Sequence, residues 1–242
     1  RPPSRVRRGA PGRRWHLVEL ANAWSHNKGI LTVATVLPDG SITAQRRATM
    51  EENVREYMAK RGVHGLARVT TAPDPFSGAE RLVEAYGLGN LMPNTVLLGD
   101  SERPELRSGY CAMVRHLWES RRNVLIVAYD EERRFGDRER VDVWWGGLQG
   151  NGSLLLLLGY LLRSSLPWRG AEVRMKMVVP RESAVADARL HLERIVARTR
   201  TGVVPEVIVS EGRSVEEILR DSSAEADLVL MGMSSPDRIP DH

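Results

Sequence analysis

Short aliphatic runs alternate with stretches of helical periodicity along most of this chain. Residues 30–37 (ILTVATVL) read as a strand halted by the turn Pro38-Asp39-Gly40, since β-branched side chains suit a pleated surface and Pro-x-Gly suits a reversal. Over 45–61 the period lengthens to that of a helix, with Met50, Val54, Tyr57 and Met58 on one face and Gly62 as its stop. Residues 65–71 (GLARVTT) predict the next strand. A capping box of Ser77 and Glu80, each side chain satisfying the other residue's free backbone N–H, predicts helix 77–86, closed by Gly87 and Gly89. Strand 95–98 ending at Gly99, helix 105–121 and strand 123–129 (NVLIVAY) complete the series.

The order then recurs. Strand 141–145 (VDVWW) and a glycine-rich loop (Gly146-Gly147, Gly150-Asn151-Gly152) lead into helix 152–164. Strand 171–179, helix 183–200, strand 203–209, helix 214–222 and strand 228–231 follow, with a second capping box at Ser214 and Glu217 and a stop at Gly232. TVLLGDSERP (95–104) and LVLMGMSSPD (228–237) share an apolar strand, Gly-x-Ser and a nearby proline. A duplicated unit predicts an α/β fold of two repeats, 15–130 and 131–242, with mostly parallel sheets flanked by helices. The second repeat is expected to lack the last helix and strand that the first carries beyond Gly99. Adjacent Trp144 and Trp145 point to opposite faces of their strand, and at least one is expected in the core. Leu154–Leu162 is too short for a membrane span of roughly 20 residues and predicts a buried helix.

Composition changes this picture little. A 42% hydrophobic, 27% charged chain of 242 residues holds enough apolar surface to fold without staples. Its single cysteine, Cys111, excludes an intrachain disulfide and is expected to pack among apolar helix neighbours. Charge matters more by position than by sum. Residues 1–14 hold six arginines and no acid, so the net +4 of the whole leaves −2 for residues 15–242. A basic flexible arm is therefore expected at 1–14, able to meet anionic lipid headgroups through Arg5, Arg7, Arg8, Arg13 and Arg14. Nucleic acid is not expected as a partner of the acidic remainder.

Ligand sites in parallel α/β folds lie at the carboxyl ends of strands. The residues there are Gly99, Asp100 and Ser101 in one half and Gly232, Met233 and Ser234 in the other. Glycine lets a phosphate approach the backbone, and the ten-residue step from Gly99 to Gly109 resembles nucleotide-binding universal stress proteins, although Tyr110 stands where that pattern has a small hydroxyl residue. Other chemistry is not visible. The glycine-rich loop lacks the Gly-Lys-Ser/Thr of a phosphate-binding P-loop, and neither Gly-x-Ser continues into a nucleophile elbow. His16, His26, His64, His116, His191 and His242 fall in no metal-ligand spacing. No catalytic residue, metal site or enzyme activity is expected, and a nucleotide is the one cofactor the pattern leaves open.

Three motifs carry a family resemblance. Gly87-Leu88-Gly89-Asn90-Leu91-Met92-Pro93-Asn94-Thr95-Val96-Leu97-Leu98-Gly99 is the first. The second is Val141-Asp142-Val143-Trp144-Trp145 with the leucine run that follows, and the third is Ala226-Asp227-Leu228-Val229-Leu230-Met231-Gly232. In this order they resemble the C-terminal cytosolic domains of cation-chloride cotransporters, over roughly residues 15–238. The resemblance implies two universal-stress-protein-like repeats on the cytosolic face of a membrane, joined to the transmembrane domain of the same polypeptide. It further implies homodimerisation and control of a symport of chloride with sodium and/or potassium, whose ion-binding residues lie in the membrane part. The compactness of the chain resembles a prokaryotic member more than the insertion-bearing eukaryotic ones. The alternative is a free universal-stress-type nucleotide-binding protein.

Overall fold

The computed structural model describes residues 14–86, 92–100, 103–146 and 151–233. It divides into two compact units between Tyr129 and Asp130. Every strand pairing among the described residues is parallel.

In the first unit the order is α1 (Trp15–Ser25), β1 (Thr32–Pro38), α2 (Ala44–Ala59), β2 (Leu66–Ala72), α3 (Pro75–Ala85), β3 (Thr95–Gly99), α4 (Arg107–Glu119) and β4 (Asn123–Val127). Strand β1 lies beside β2 in the register Thr32↔Leu66 to Pro38↔Ala72, and β3 beside β4 from Thr95↔Asn123 to Gly99↔Val127. Val18 of α1 meets Val54 and Met58 of α2 and Val63 in an apolar cluster lined by Trp15, Leu31, Val33 and Ala67. This spacing, i and i+4 on α2, is the helical face read from the sequence.

Three expectations need correction here. No element is foreseen at 15–29, yet α1 forms there and buries Val18, Leu20 and Ala23. Helix α3 starts two residues before the Ser77 cap. Asp74 caps it instead, its Oδ1 accepting from the N–H groups of Phe76 (2.9 Å) and Ser77 (3.0 Å), with Pro75 preset for the first turn. Those hydrogen bonds, led by that from the Ser77 hydroxyl, hold the Asp74 carboxyl below its ordinary pKa. Cys111 is exposed on α4, because Met113 and Leu117 take the buried face of that helix.

In the second unit the order is β5 (Arg140–Trp144), α5 (Gly152–Ser164), β6 (Glu172–Val179), α6 (Val185–Thr199), β7 (Val204–Val209), α7 (Val215–Ser222) and β8 (Leu228–Met231). One sheet of order β7-β6-β5-β8 results. Alternation along β5 sends Val141 and Val143 to one face and Asp142 and Trp144 to the other. Helix α5 covers the first face, bringing Gly159 against Val143 and Val173, and buries Leu155, Leu156, Leu158 and Leu162. It is not buried all round: Leu157 is 50% and Tyr160 44% exposed. Both tryptophans are buried. Helix α7 begins at the expected capping box, with Ser214 Oγ accepting from the Glu217 N–H (3.2 Å) and the Glu217 carboxylate accepting from the Ser214 N–H (2.9 Å).

Candidate functional site

Two features stand out: the glycine turns at the ends of β3 and β8, and a layer of buried charge beneath β5 and β6.

Gly99 is the last residue of β3, and its carbonyl accepts a hydrogen bond from Tyr110 Oη of α4 at 3.1 Å. The Asp100 N–H donates to Val127 O at 2.9 Å, continuing the ladder with β4. Burial, with the Asp100 carboxylate beside it, pushes the Tyr110 phenol up to about 12, against the opposing pull of Arg14. Arg14, just ahead of α1, has its guanidinium 3.8 Å from where a Cβ on Gly99 would sit, and Leu17 of α1 lies at 3.6 Å. Gly232 repeats this arrangement. A Cβ there would lie 3.3 Å from Asn151 Cβ and 3.7 Å from Leu155, and Asn151 Nδ2 donates to Met233 O at 3.2 Å. Each strand-end glycine thus rests on the residue that leads into a helix, Arg14 into α1 and Asn151 into α5. Ser101, Ser234, Arg5, Arg7, Arg8 and Arg13 lie outside the described residues.

Gly109 does not join the Gly99 turn. It lies within α4, where an added Cβ would come 2.7 Å from the Phe76 ring of α3, so it serves the close approach of two helices.

The charged layer is not legible as a site in the sequence. Asp142 and Lys176 are essentially inaccessible to solvent. Asp142 Oδ1 accepts from Arg174 Nε at 2.7 Å; its Oδ2 accepts from Ser223 Oγ at 2.6 Å and pairs with Lys176 Nζ at 3.1 Å. Ser223 Oγ in turn accepts from Trp144 Nε1 at 3.0 Å. Lys176 Nζ donates to the carbonyl of Ser222, the last residue of α7, and pairs with Glu206 of β7 at 3.6 Å. A cation at a helix C-terminus answers the negative end of the helix dipole. A partial signal exists: V-D-V on β5 and V-R-M-K-M on β6 place Asp142, Arg174 and Lys176 on one face. Alternation of that kind normally marks a solvated sheet face, but here α7 covers it.

This layer fastens: the Asp142 carboxylate joins Arg174, Lys176 and Ser223. Among the described residues no group of three or more His, Cys, Asp or Glu could hold a metal ion. A second acid acts likewise at the start of β5. Asp227 Oδ2 accepts from the N–H groups of Glu139 (2.8 Å) and Arg140 (2.9 Å), while the Arg133 guanidinium clasps the carbonyls of Ala224 and Ala226. Asp142 and Asp227, the acids of two of the motifs quoted above, are therefore both structural fasteners of one strand.

The family model described as solute carrier family 12 matches residues 14–127. Cation-chloride cotransporter 1 of Arabidopsis thaliana is 22% identical over 228 residues, covering 84% of this chain. The chain matches the cation-chloride cotransporters. It spans 22% of the length of that plant relative, about one fifth. The cytoplasmic domain of a prokaryotic cation chloride cotransporter, known from a crystal structure, superposes on 93% of this chain and 83% of its own with a TM-score of 0.67 at 16% identity. At that identity the likeness shows a shared fold: mixed α/β, with parallel sheets flanked by helices, as in the cotransporter cytoplasmic domain. No helix among the described residues is long and apolar enough to cross a membrane.

Proposed function

We propose that this chain is the cytosolic regulatory and dimerising domain of a membrane cation-chloride symporter and performs no catalysis itself. The observation that supports this reading most is the fold likeness to a cotransporter cytoplasmic domain along 93% of the chain. The charged layer agrees with it, since Asp142, Lys176 and Ser223 bond one another and tie the end of α7 to β5 and β6. On this reading two copies associate, the transmembrane domain of the same polypeptide carries the ions, and the arm at 1–14 meets anionic headgroups. Sedimentation equilibrium of the isolated chain tests the association. A dimer at micromolar concentration is expected, and a monomer at millimolar concentration would remove dimerisation from the reading.

A further inference from the structure

Helices α1 and α5 hold corresponding places in their units, but what lies beneath them differs. In the second unit β5 is an inner strand, bonded to β6 on one side and β8 on the other, and α5 follows it in the chain. Helix α5 covers all three strands. Its Gly159 meets Val143 of β5 and Val173 of β6, and its Leu155 approaches Gly232 just past β8. In the first unit α1 spans β1 and β3 in the same way. Its Val18 belongs to the cluster on which Leu31 and Val33 pack, and its Leu17 lies beside Gly99 at the end of β3. Yet β1 bonds only to β2, and β3 only to β4, with no strand of the described residues between the two pairs.

The direction of each strand's hydrogen bonds locates its free edge, because successive residues of a strand turn their backbone groups to opposite sides. Leu31 O accepts from the Leu66 N–H at 2.8 Å, and the Asp39 N–H donates to Ala72 O at 3.1 Å, so the odd-numbered residues of β1 serve β2. Thr32, Ala34 and Val36 therefore turn theirs the other way. Asn94 O accepts from the Asn123 N–H and the Asp100 N–H donates to Val127 O, both at 2.9 Å, so Thr95 and Leu97 turn away from β4. Two rows of backbone donors and acceptors thus border the space under α1. Both strands are aliphatic, yet no residue of β1 or β3 is buried, whereas Val141 and Val143 of β5 are fully buried. An unpaired edge of this kind is a template for one more strand.

We propose that the slot between β1 and β3 takes a parallel strand of the same polypeptide, supplied by residues ahead of Arg1. A strand that leads into α1 and returns through β1 makes the right-handed crossover that β5, α5 and β6 make. It lies between α1 on one face and α3, whose Gly78 lies against Val36 of β1, on the other. It is therefore apolar throughout, rich in Val, Ile or Leu, and of about the five residues that β5 has. Residues 1–13 do not supply it: Pro2 and Pro3 cannot donate to a ladder, and five arginines suit no position covered on both faces. A strand from a second copy is the poorer fit, because the covalent lead into α1 gives the strand in cis a high effective concentration. The proposal rests on the cotransporter reading in one respect, that polypeptide lies ahead of Arg1.

Hydrogen exchange followed by mass spectrometry, on the full-length polypeptide and on the 242-residue chain, tests it. Peptides covering 32–38 and 95–99 should exchange about a hundredfold more slowly in the full-length polypeptide, while β6, already bonded on both sides, should change less than about twofold. Two prolines placed in the apolar run ahead of Arg1 should restore the faster exchange of 32–38 and 95–99 and leave β6 as it was. Equal exchange in the two proteins overturns the proposal, as does a polypeptide with no apolar run of strand length ahead of Arg1. Protection of these strands that grows with the concentration of the 242-residue chain overturns it in favour of a second copy. Slow exchange in a polypeptide that moves no chloride sinks the cotransporter reading alone and leaves the strand in place.

Discussion

The glycine turn after β3 and its counterpart after β8 sit alike on their units but are closed by different atoms. In the first unit a phenol reaches forward from α4: Tyr110 donates to Gly99 O. In the second an amide reaches from the residue ahead of α5: Asn151 donates to Met233 O. The interiors differ more. The first unit holds an apolar cluster of Val18, Val54, Met58 and Val63, whereas the second unit puts Asp142, Arg174 and Lys176 beneath its sheet. A shared strand-helix order therefore fixes where the turns fall, and leaves open what fills the space between layers. In the second unit the buried charge layer converges on one carboxylate, Asp142.

Removing that carboxylate should break the comparison most sharply. Asp142→Ala strands Lys176 and Arg174 without their anion and should cost about 3–5 kcal/mol in urea unfolding, seen in the second unit's amide protection first. Replacing Lys176 as well, as in Asp142→Leu with Lys176→Met, should recover part of that loss, because the fully buried cation is gone while Arg174 still lacks its anion. Gly109→Val is the first unit's equivalent weak point. Overlap with the Phe76 ring should cost roughly 1–3 kcal/mol, and Phe76→Ala added to it should cost less than the two changes summed.

The turn closures should be smaller and similar. Tyr110→Phe and Asn151→Ala each remove one hydrogen bond and should each cost about 0.5–1.5 kcal/mol. Ultraviolet titration should show one of the five tyrosines ionising near pH 12, a step absent from Tyr110→Phe. The helix starts should differ between units by cap. Ser214→Ala should cost about 1 kcal/mol, while Ser77→Ala should cost less because Asp74 holds the first turn of α3. Hydrogen bonds hold the carboxyls of Asp74 and Glu217 below their ordinary pKa values. The stability they give is thus present above about pH 4 and is lost as pH falls through their folded values, which an acid unfolding series on Asp74→Ala and Glu217→Gln would detect by its flattened slope.

Much of this is legible along the chain, and the exceptions have identifiable causes. Strands β1, β3 and β8 are readable because their aliphatic runs end at Gly or Pro-x-Gly, and the Ser214 capping box is built as written. Ser77 misleads because Asp74-Pro75 is the stronger start signal two residues earlier. Helix α1 escapes notice because Arg14, ahead of it, makes no side-chain cap, so no start signal precedes Trp15. The charged layer escapes notice because V-D-V and V-R-M-K-M look like half-solvated strands. Only the placement of α7 over that face, a long-range event, makes Asp142 a buried anchor. Gly109 packs against the Phe76 ring, a close approach of α3 and α4 that its spacing from Gly99 does not announce.

The central proposal is that this domain governs transport without carrying out chemistry. It is tested most directly by chloride-dependent cation uptake into liposomes containing the full-length polypeptide, with and without residues 14–233. The account predicts that uptake persists after the deletion, with a rate altered severalfold. An unchanged rate, or uptake with no dependence on chloride, would contradict it.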